Sequence, residues 1–281
     1  MRIITDSAAD FTPEELDEYK VHCVPTQVIF GQECCIPGVD LSCEAFWQRM
    51  VAGERPTTSQ PSPAAFLDAF SAARADDDDG AICICVSSGV SGTYQSARLA
   101  ASMCDWDQLH VIDSLTGTAG QKLLVLEACR LRDAGYATKE IVQEISRLRS
   151  RVRLCAGLDT LEYLARSGRI PKALASLGSL ARLKPLVEVS PEGRIGLCAK
   201  AFGRLRAIET LAQRIARQVI DPEHPILPLY SHDDGNCRLL LDKLAALGVR
   251  STAPLCAIGP SIGPHIGPGV FGAAFVVKAE G

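Results

Sequence analysis

Short, nearly continuous apolar runs alternate along the first half of the chain with longer segments of helical periodicity. Met1 to Asp6, Ala81 to Val86 and Leu109 to Ile112 predict strands, the second of them buried. Each run ends in a turn rich in serine, threonine or glycine, and each turn feeds a helix. Thr12-Pro13-Glu14-Glu15 has the residues of a capping box with proline at the first helical position. Helices are then expected at about Tyr94 to Met103 and about Lys122 to Ala134, the latter closed by Gly135. Repeated strand–turn–helix order predicts an α/β fold with a parallel sheet and helices on both faces. Ligands of such sheets bind beyond the carboxyl ends of the strands. Asp6-Ser7, Ser87 to Thr93 and Asp113 to Gly120 should therefore converge on one edge.

Between these units, Val24 to Phe30 reads as one strand, Gly31 to Leu41 as a loop, and Ser42 to Val51 as a helix. Ser62-Pro63 starts a helix over Ala64 to Arg74, and Asp76 to Asp79 is a solvated acidic loop. Thr138 to Ser150 is amphipathic, with Ile141, Ile145 and Leu148 on one face. The pattern then changes. A strand at Leu154 to Leu158, a short helix over Thr160 to Ser167 and a hairpin around Pro191-Glu192-Gly193 come next. Helices at Arg206 to Ile220 and Arg238 to Leu247 flank a strand at Pro225 to Tyr230, and Ala273 to Lys278 closes the chain. Two domains follow from this change: residues 1–152, α/β, and residues 153–281, α+β.

Composition narrows the function. In 281 residues, 47 % are hydrophobic and the net charge is −4, which offers no general attraction to nucleic acid or anionic membrane. Aromatic residues, at 5 %, are too few for a base-stacking surface. No basic-then-apolar leader opens the chain and no run has the length of a membrane span, so a cytoplasmic location is expected. Twelve cysteines lack any Cys-x-x-Cys spacing and read as buried, reduced hydrophobes. Cys34-Cys35 with His22 and Cys23 is the one metal-site alternative, and it is the weaker reading.

The stretch Ser87-Ser88-Gly89-Val90-Ser91-Gly92-Thr93 carries hydroxyls and glycines and no charge. Glycines permit close backbone approach, and a helix N-terminus offers N–H groups to a carboxylate or phosphate. No Gly-Lys-Ser/Thr ends it, so it is not a Walker-type loop. Thr57-Thr58-Ser59, held extended between prolines, is a second uncharged hydroxyl cluster. Near the end, Ile258 to Gly269 holds His265 among glycines and prolines, where it can donate to an anion, act as acid or base, or satisfy a carbonyl. Arg166, Arg169, Lys172, Arg182 and Lys184, joined by Arg194, Lys200, Arg204 and Arg206, form a basic band. The band is a solvated face or a docking surface for an acidic partner.

These residues together resemble the DegV family of bacterial fatty-acid-binding proteins. The matching segments are Thr5-Asp6-Ser7 with Asp10, Thr58 to Ser62, Ser87-Ser88 with Ser91 to Tyr94, and Asp113-Ser114. Leu161 to Leu164 leading to Gly168-Arg169-Ile170, Lys184-Pro185, His232-Asp233 and Gly263 to Gly269 complete the set. The resemblance implies two α/β domains with a long-chain fatty acid buried between them and no cofactor or metal. Thr58 and Ser91 would hold the carboxylate, with Ser59, Ser88, Gly92, Thr93 and His265 close by. A separate ATP-dependent fatty-acid kinase would phosphorylate the presented acid, with Arg169, His265 and Arg204 facing that partner and at most transient membrane contact. Three departures stand out: Pro37 where aspartate is more frequent, Lys122 where a second glycine is common, and Pro264 where threonine is usual. Lys122 and Pro264 are expected to alter the pocket mouth or the donor set. The competing reading is an autonomous hydrolase or transferase using Ser91 with His265, although Gly89-Val90-Ser91-Gly92-Thr93 lacks the last glycine of a nucleophile elbow. A nucleic-acid-binding or other regulator is disfavoured by the acidic balance.

Overall fold

The computed structural model describes residues 1–76, 79–171, 173 and 182–279. Strands β1 (Arg2–Asp6), β2 (Val21–Val24), β6 (Ala81–Cys85) and β7 (Leu109–Asp113) form an all-parallel sheet in the order β2-β1-β6-β7. Every residue of β6 is buried, as its continuous apolar sequence predicts for a central strand covered on both faces. A small antiparallel sheet, β4-β3-β5, joins β3 (Gln27–Phe30), β4 (Glu33–Cys35) and β5 (Thr57–Ser59). Thus Val24 to Phe30 is not one strand. Pro25 has no N–H to donate, and the chain leaves the parallel sheet there and enters the small one. The expected loop over Gly31 to Leu41 likewise contains β4, paired with β3.

The third sheet is mixed, in the order β10-β9-β8-β13-β11-β12. It is built from β8 (Val152–Gly157), β9 (Leu183–Val189), β10 (Ile195–Phe202), β11 (Leu227–Tyr230), β12 (Cys256–Ala257) and β13 (Phe271–Val276). Helices α1 (Pro13–Tyr19), α2 (Cys43–Val51), α3 (Pro63–Asp76) and α4 (Thr93–Met103) belong to the first half. They are followed by α5 (Thr118–Asp133), α6 (Thr138–Leu148), α7 (Glu162–Arg166), α8 (Arg204–Ala216), α9 (Gly235–Ala246) and α10 (Gly263–Ile266). Thr12 accepts from Glu15 N–H while Glu15 accepts from Thr12 N–H, so the capping box is formed.

Helix α5 is the spine. It touches β1 and β6 of the parallel sheet and β8, β11 and β13 of the mixed one. Apolar residues on several of its faces, among them Leu123, Leu124, Val125, Ala128 and Leu131, enter a single core with residues of both sheets. A helix wrapped this completely holds two layers together through burial rather than through its own propensity.

Lys122, on the same helix, is buried, bonds Glu15 Oε1 at 2.7 Å and the Asp10 carbonyl at 3.3 Å, and sits 4.8 Å from the Phe11 ring centroid. It fastens α1 to α5 and does not reach the mouth of the ligand pocket described below, contrary to expectation. The acidic-loop residues 77 and 78 lie outside the described residues, as does Lys172 of the basic band. All twelve thiols are free. His22 and Cys23 stand on β2 and Cys34-Cys35 on β4, in different sheets, and no metal-competent cluster occurs among the described residues.

Buried Asp10 caps the turn after β1 in the left-handed region, and its Oδ1 accepts from Gly259 N–H at 2.9 Å. Burial pushes its carboxyl up to about 8 from 3.8. A carboxyl more basic in the folded than in the unfolded chain binds its proton preferentially when folded, so its contribution to stability falls as pH rises from about 4 to about 8. Asp10→Asn keeps the acceptor and the permitted backbone conformation. It should flatten the decline in melting temperature between pH 6, near which the buried carboxyl of Asp6 titrates, and pH 8. A wild-type profile already flat over that range would count against a titrating Asp10.

Candidate functional site

Three turns do meet beyond the carboxyl ends of β1, β6 and β7, and two buried carboxylates fasten them. Asp6 Oδ2 accepts from Val86 N–H at 2.7 Å and from Gln121 Nε2 at 3.1 Å, and its Oδ1 accepts from Ala8 N–H at 3.0 Å. Asp113 Oδ1 accepts from the N–H groups of Ser88 at 3.2 Å and Leu115 at 3.0 Å. Most of the remaining loop amides are also engaged, Gly89 on Ser87 Oγ, Val90 and Ser91 on the Ser87 carbonyl, Thr93 on Ser91 Oγ, while the Gly92 amide has no partner among the described residues. Most of the expected N–H cradle is therefore turned inward, and side chains supply the other donors.

Those side chains surround a polar pocket. Thr58 stands in the middle of β5, opposite Val28 of β3, and its Oγ1 lies 2.8 Å from His265 Nε2. Ser91 Oγ and Thr93 Oγ1 are 2.8 Å apart on the adjoining wall. Gln60, Arg169, Thr26 and Ser261 complete the polar lining. Gln60 donates to Ser96 Oγ at 3.0 Å and packs so tightly on Gly92 that a Cβ there would lie 2.3 Å from its Oε1. A side chain at position 92 would displace the Gln60 amide from this wall. Thr26, Ser7 and Ser261 form a ring of hydroxyls, with Thr26 Oγ1 donating to Ser261 Oγ at 2.8 Å and Ser261 Oγ to Ser7 Oγ at 2.7 Å.

Ser59 and Ser88 do not line this pocket. Ser59 neighbours Thr58 in a strand, where successive side chains point to opposite faces. Ser88 takes part through its N–H on Asp113. Arg204 is exposed at the first turn of α8, beside exposed Phe202 and Leu205, and is not part of the pocket. Sequence reasoning did not single out Thr26, Gln60 or Ser261 as pocket residues. Pro25 before Thr26, and the position of Ser261 inside the Gly/Pro stretch around His265, were the available signals.

His265 is carried by the one-turn helix α10, held in place by aromatic packing against glycine. A Cβ on Gly263 would lie 2.3 Å from Phe46, and one on Gly267, which has φ +74°, would lie 2.3 Å from Tyr163. Pro264 begins this turn and is buried, so it shapes the backbone without adding a donor. Burial, with Arg169 and Arg166 nearby, lowers the imidazole from 6.5 to about 4. The ring is neutral near pH 7, and among the described residues its buried Nδ1 has no partner. Arg169 is half-buried, anchored by Nε to the Val90 carbonyl at 3.1 Å and by Nη1 to the Ser167 carbonyl at 2.6 Å. Desolvation lowers its pKa, yet a guanidinium remains charged. A permanent cation thus shares the pocket with hydroxyls and a neutral imidazole, which suits one carboxylate.

Ser91 bonds Thr93 while His265 bonds Thr58, and among the described residues no carboxylate orients the imidazole. The relay needed to activate a serine is not assembled.

An apolar channel continues from the polar pocket, sharing Val86, Val90, Ile195, Ile262 and Ile266 with it. Leu154, Leu158, Leu164, Val187, Leu229 and Val270 extend it between the sheets. The Pro191-Glu192-Gly193 turn closes one side, where Ser87 Oγ donates to the Gly193 carbonyl at 2.7 Å.

An α/β protein with a polar head pocket opening into an apolar channel is built to hold an amphipathic small molecule. The DegV family model matches residues 1–278, and the chain belongs to that family. A DegV domain-containing protein of Deinococcus radiodurans is 38% identical over 218 residues, covering 77% of this chain and 76% of its own. DegV domain-containing protein YteA of Lactococcus lactis is 33% identical over 240 residues, covering 83% and 82%. A fatty-acid-binding DegV family protein from Thermus thermophilus superposes with a TM-score of 0.86 at 29% identity, covering 99% of this chain and 100% of the other. A stearic-acid-binding protein from Eubacterium ventriosum gives 0.85 at 25% identity, covering 99% of each chain.

The charge arrangement makes the head pocket testable without a ligand. In ligand-free protein the His265 ring should titrate near pH 4 by NMR. Arg169→Gln removes a neighbouring cation, so it should move that titration upward. An unshifted ring would mean that the guanidinium does not act on the imidazole.

Proposed function

We propose that this chain binds a long-chain fatty acid between its parallel and mixed sheets and presents it to an ATP-dependent fatty-acid kinase. The observation that carries this reading is the continuity of the Thr58–Ser91–His265–Arg169 pocket with the apolar channel. Its support from outside is the binding of fatty acids by the Thermus and Eubacterium relatives.

In this reading Thr58, Ser91 and Thr93 hydrogen-bond the carboxylate, Arg169 balances its charge, and neutral His265 holds Thr58 in register. Ser59, Ser88 and Gly92 shape the wall behind them. The division into residues 1–152 and 153–281 places most head-group hydroxyls on the first part, with Arg169, His265 and much of the channel on the second. Each methylene buried contributes about 0.8 kcal/mol, so the acyl chain supplies most of the affinity and the head group sets the orientation. An oriented carboxylate with one oxygen accessible is the nucleophile a kinase needs to form an acyl phosphate. The binding chain needs no catalytic residue of its own for that reaction, and Arg204 with Phe202 and Leu205 offers an exposed basic and apolar surface for the partner.

Native mass spectrometry of protein purified from a bacterial host should find one long-chain fatty acid per chain. The Thr58→Val, Ser91→Ala double variant should lower carboxylate affinity by about tenfold or more, since two donors to a charged group are lost. A correctly folded protein carrying a nucleotide or sugar phosphate instead would refute the reading.

A further inference from the structure

Past Leu154, the apolar channel shares Thr116, Glu188 and Val189 with a second, more polar cavity on the side away from the head pocket. The head pocket and this vestibule share no lining residue, while the channel shares residues with each. The sequence of spaces is therefore polar, apolar, polar. Two arginines face the vestibule. Arg149 Nη1 donates to the Asp113 carbonyl at 2.7 Å, and Arg153 Nη1 to the carbonyls of Ser150 at 2.8 Å and Val152 at 3.1 Å. Neither has an acidic partner among the described residues. The one carboxylate in the lining, Glu188, is paired with Arg214 at 3.1 Å. Two guanidinium groups without a carboxylate partner thus stand at the far end of a channel that needs none for a methyl terminus.

We propose that this vestibule is a second head-group subsite, through which the protein accepts long-chain acids carrying an anionic or hydroxyl group at the ω-end, dicarboxylic acids above all. The inference rests on the fatty-acid reading above. Arg153 and Arg149 meet the ω-carboxylate with charge-assisted hydrogen bonds. They face a half-solvated cavity, so the second charge is never stranded in the apolar section, where burial without a partner would forbid it. In a channel with a closed apolar end, the same carboxylate would abolish binding.

The test is calorimetric titration of delipidated full-length protein with tetradecanoic, hexadecanoic and octadecanoic acids and the α,ω-dicarboxylic acid of each length. At the best-fitting length the dicarboxylic acid should bind within about tenfold of the simple acid, and Arg153→Gln should weaken it by about tenfold while leaving the simple acid unchanged. Arg149→Gln is the second variant. Its link to Asp113 makes folding a concern, and the comparison of ligands on the wild-type chain needs neither substitution. Simple acids that bind while every dicarboxylic acid binds more than about tenfold weaker would overturn the subsite and leave the fatty-acid reading standing. Equal weakening of both ligand classes by Arg153→Gln would also overturn it. Failure of all six acids to bind would instead remove the fatty-acid reading itself.

Discussion

A buried carboxylate at the end of β1 organises the ligand end of this protein. Asp6 collects amide donors from its own turn and from the end of β6, together with the side-chain amide of Gln121 on α5. The two backbone amides would otherwise be buried beside the pocket without a partner, at a cost of about 1–3 kcal/mol apiece. Asp113 does the same work one strand further on. Desolvation opposes these bonds and pushes Asp6 up to about 6. The turns are consequently set by internal hydrogen bonding before any ligand arrives.

That constraint decides the chemistry of the head pocket. With most loop amides consumed, an arriving anion meets chiefly hydroxyls, an imidazole and one guanidinium. Arg169 supplies the charge, and its own two main-chain carbonyl partners keep it in place. His265 stays uncharged chiefly because burial strips water from the charged ring, and repulsion from Arg169 and Arg166 adds to this. The result is a pocket whose net charge matches a single carboxylate without surrounding it with excess positive charge. The uncharged-donor picture drawn from the serines and threonines alone is incomplete on this point, because the cation reaches the pocket from a segment far away in the chain.

Glycine has a different role here from the one its abundance suggests. Gly92, Gly263 and Gly267 are closely packed rather than loose, each facing a large side chain at a distance no Cβ could tolerate. They bring Gln60, Phe46 and Tyr163 against the backbone and so fix the wall and the turn that carries His265. The departures from the family pattern divide in the same physical way. Lys122 fills space under α1 with an ion pair, and Pro264 fixes a backbone angle, so neither changes the donors offered to a ligand.

Much of the architecture could be read from order and period. The alternation of apolar runs with amphipathic segments placed β1, β6 and β7 with their helices, and the shared Ser/Thr/Gly turns located the ligand edge, because parallel strands necessarily bring their carboxyl ends together. The motifs around Thr58, Ser91, Arg169 and His265 carried the family. Local sequence did not reveal that Val24 to Phe30 divides between two sheets, since both halves are equally apolar and only strand pairing separates them. Nor did it reveal which hydroxyls face the cavity: Thr58 and Ser59 are chemically alike, and the register of β5 on β3 selects between them. Tertiary structure alone brought Thr26, Gln60 and Ser261 into the pocket beside Arg169, and set Arg149 and Arg153 at the channel's other end. Those residues are separated along the chain by distances over which composition and spacing carry no information, and only the packing of both sheets on α5 determines what meets across the gap.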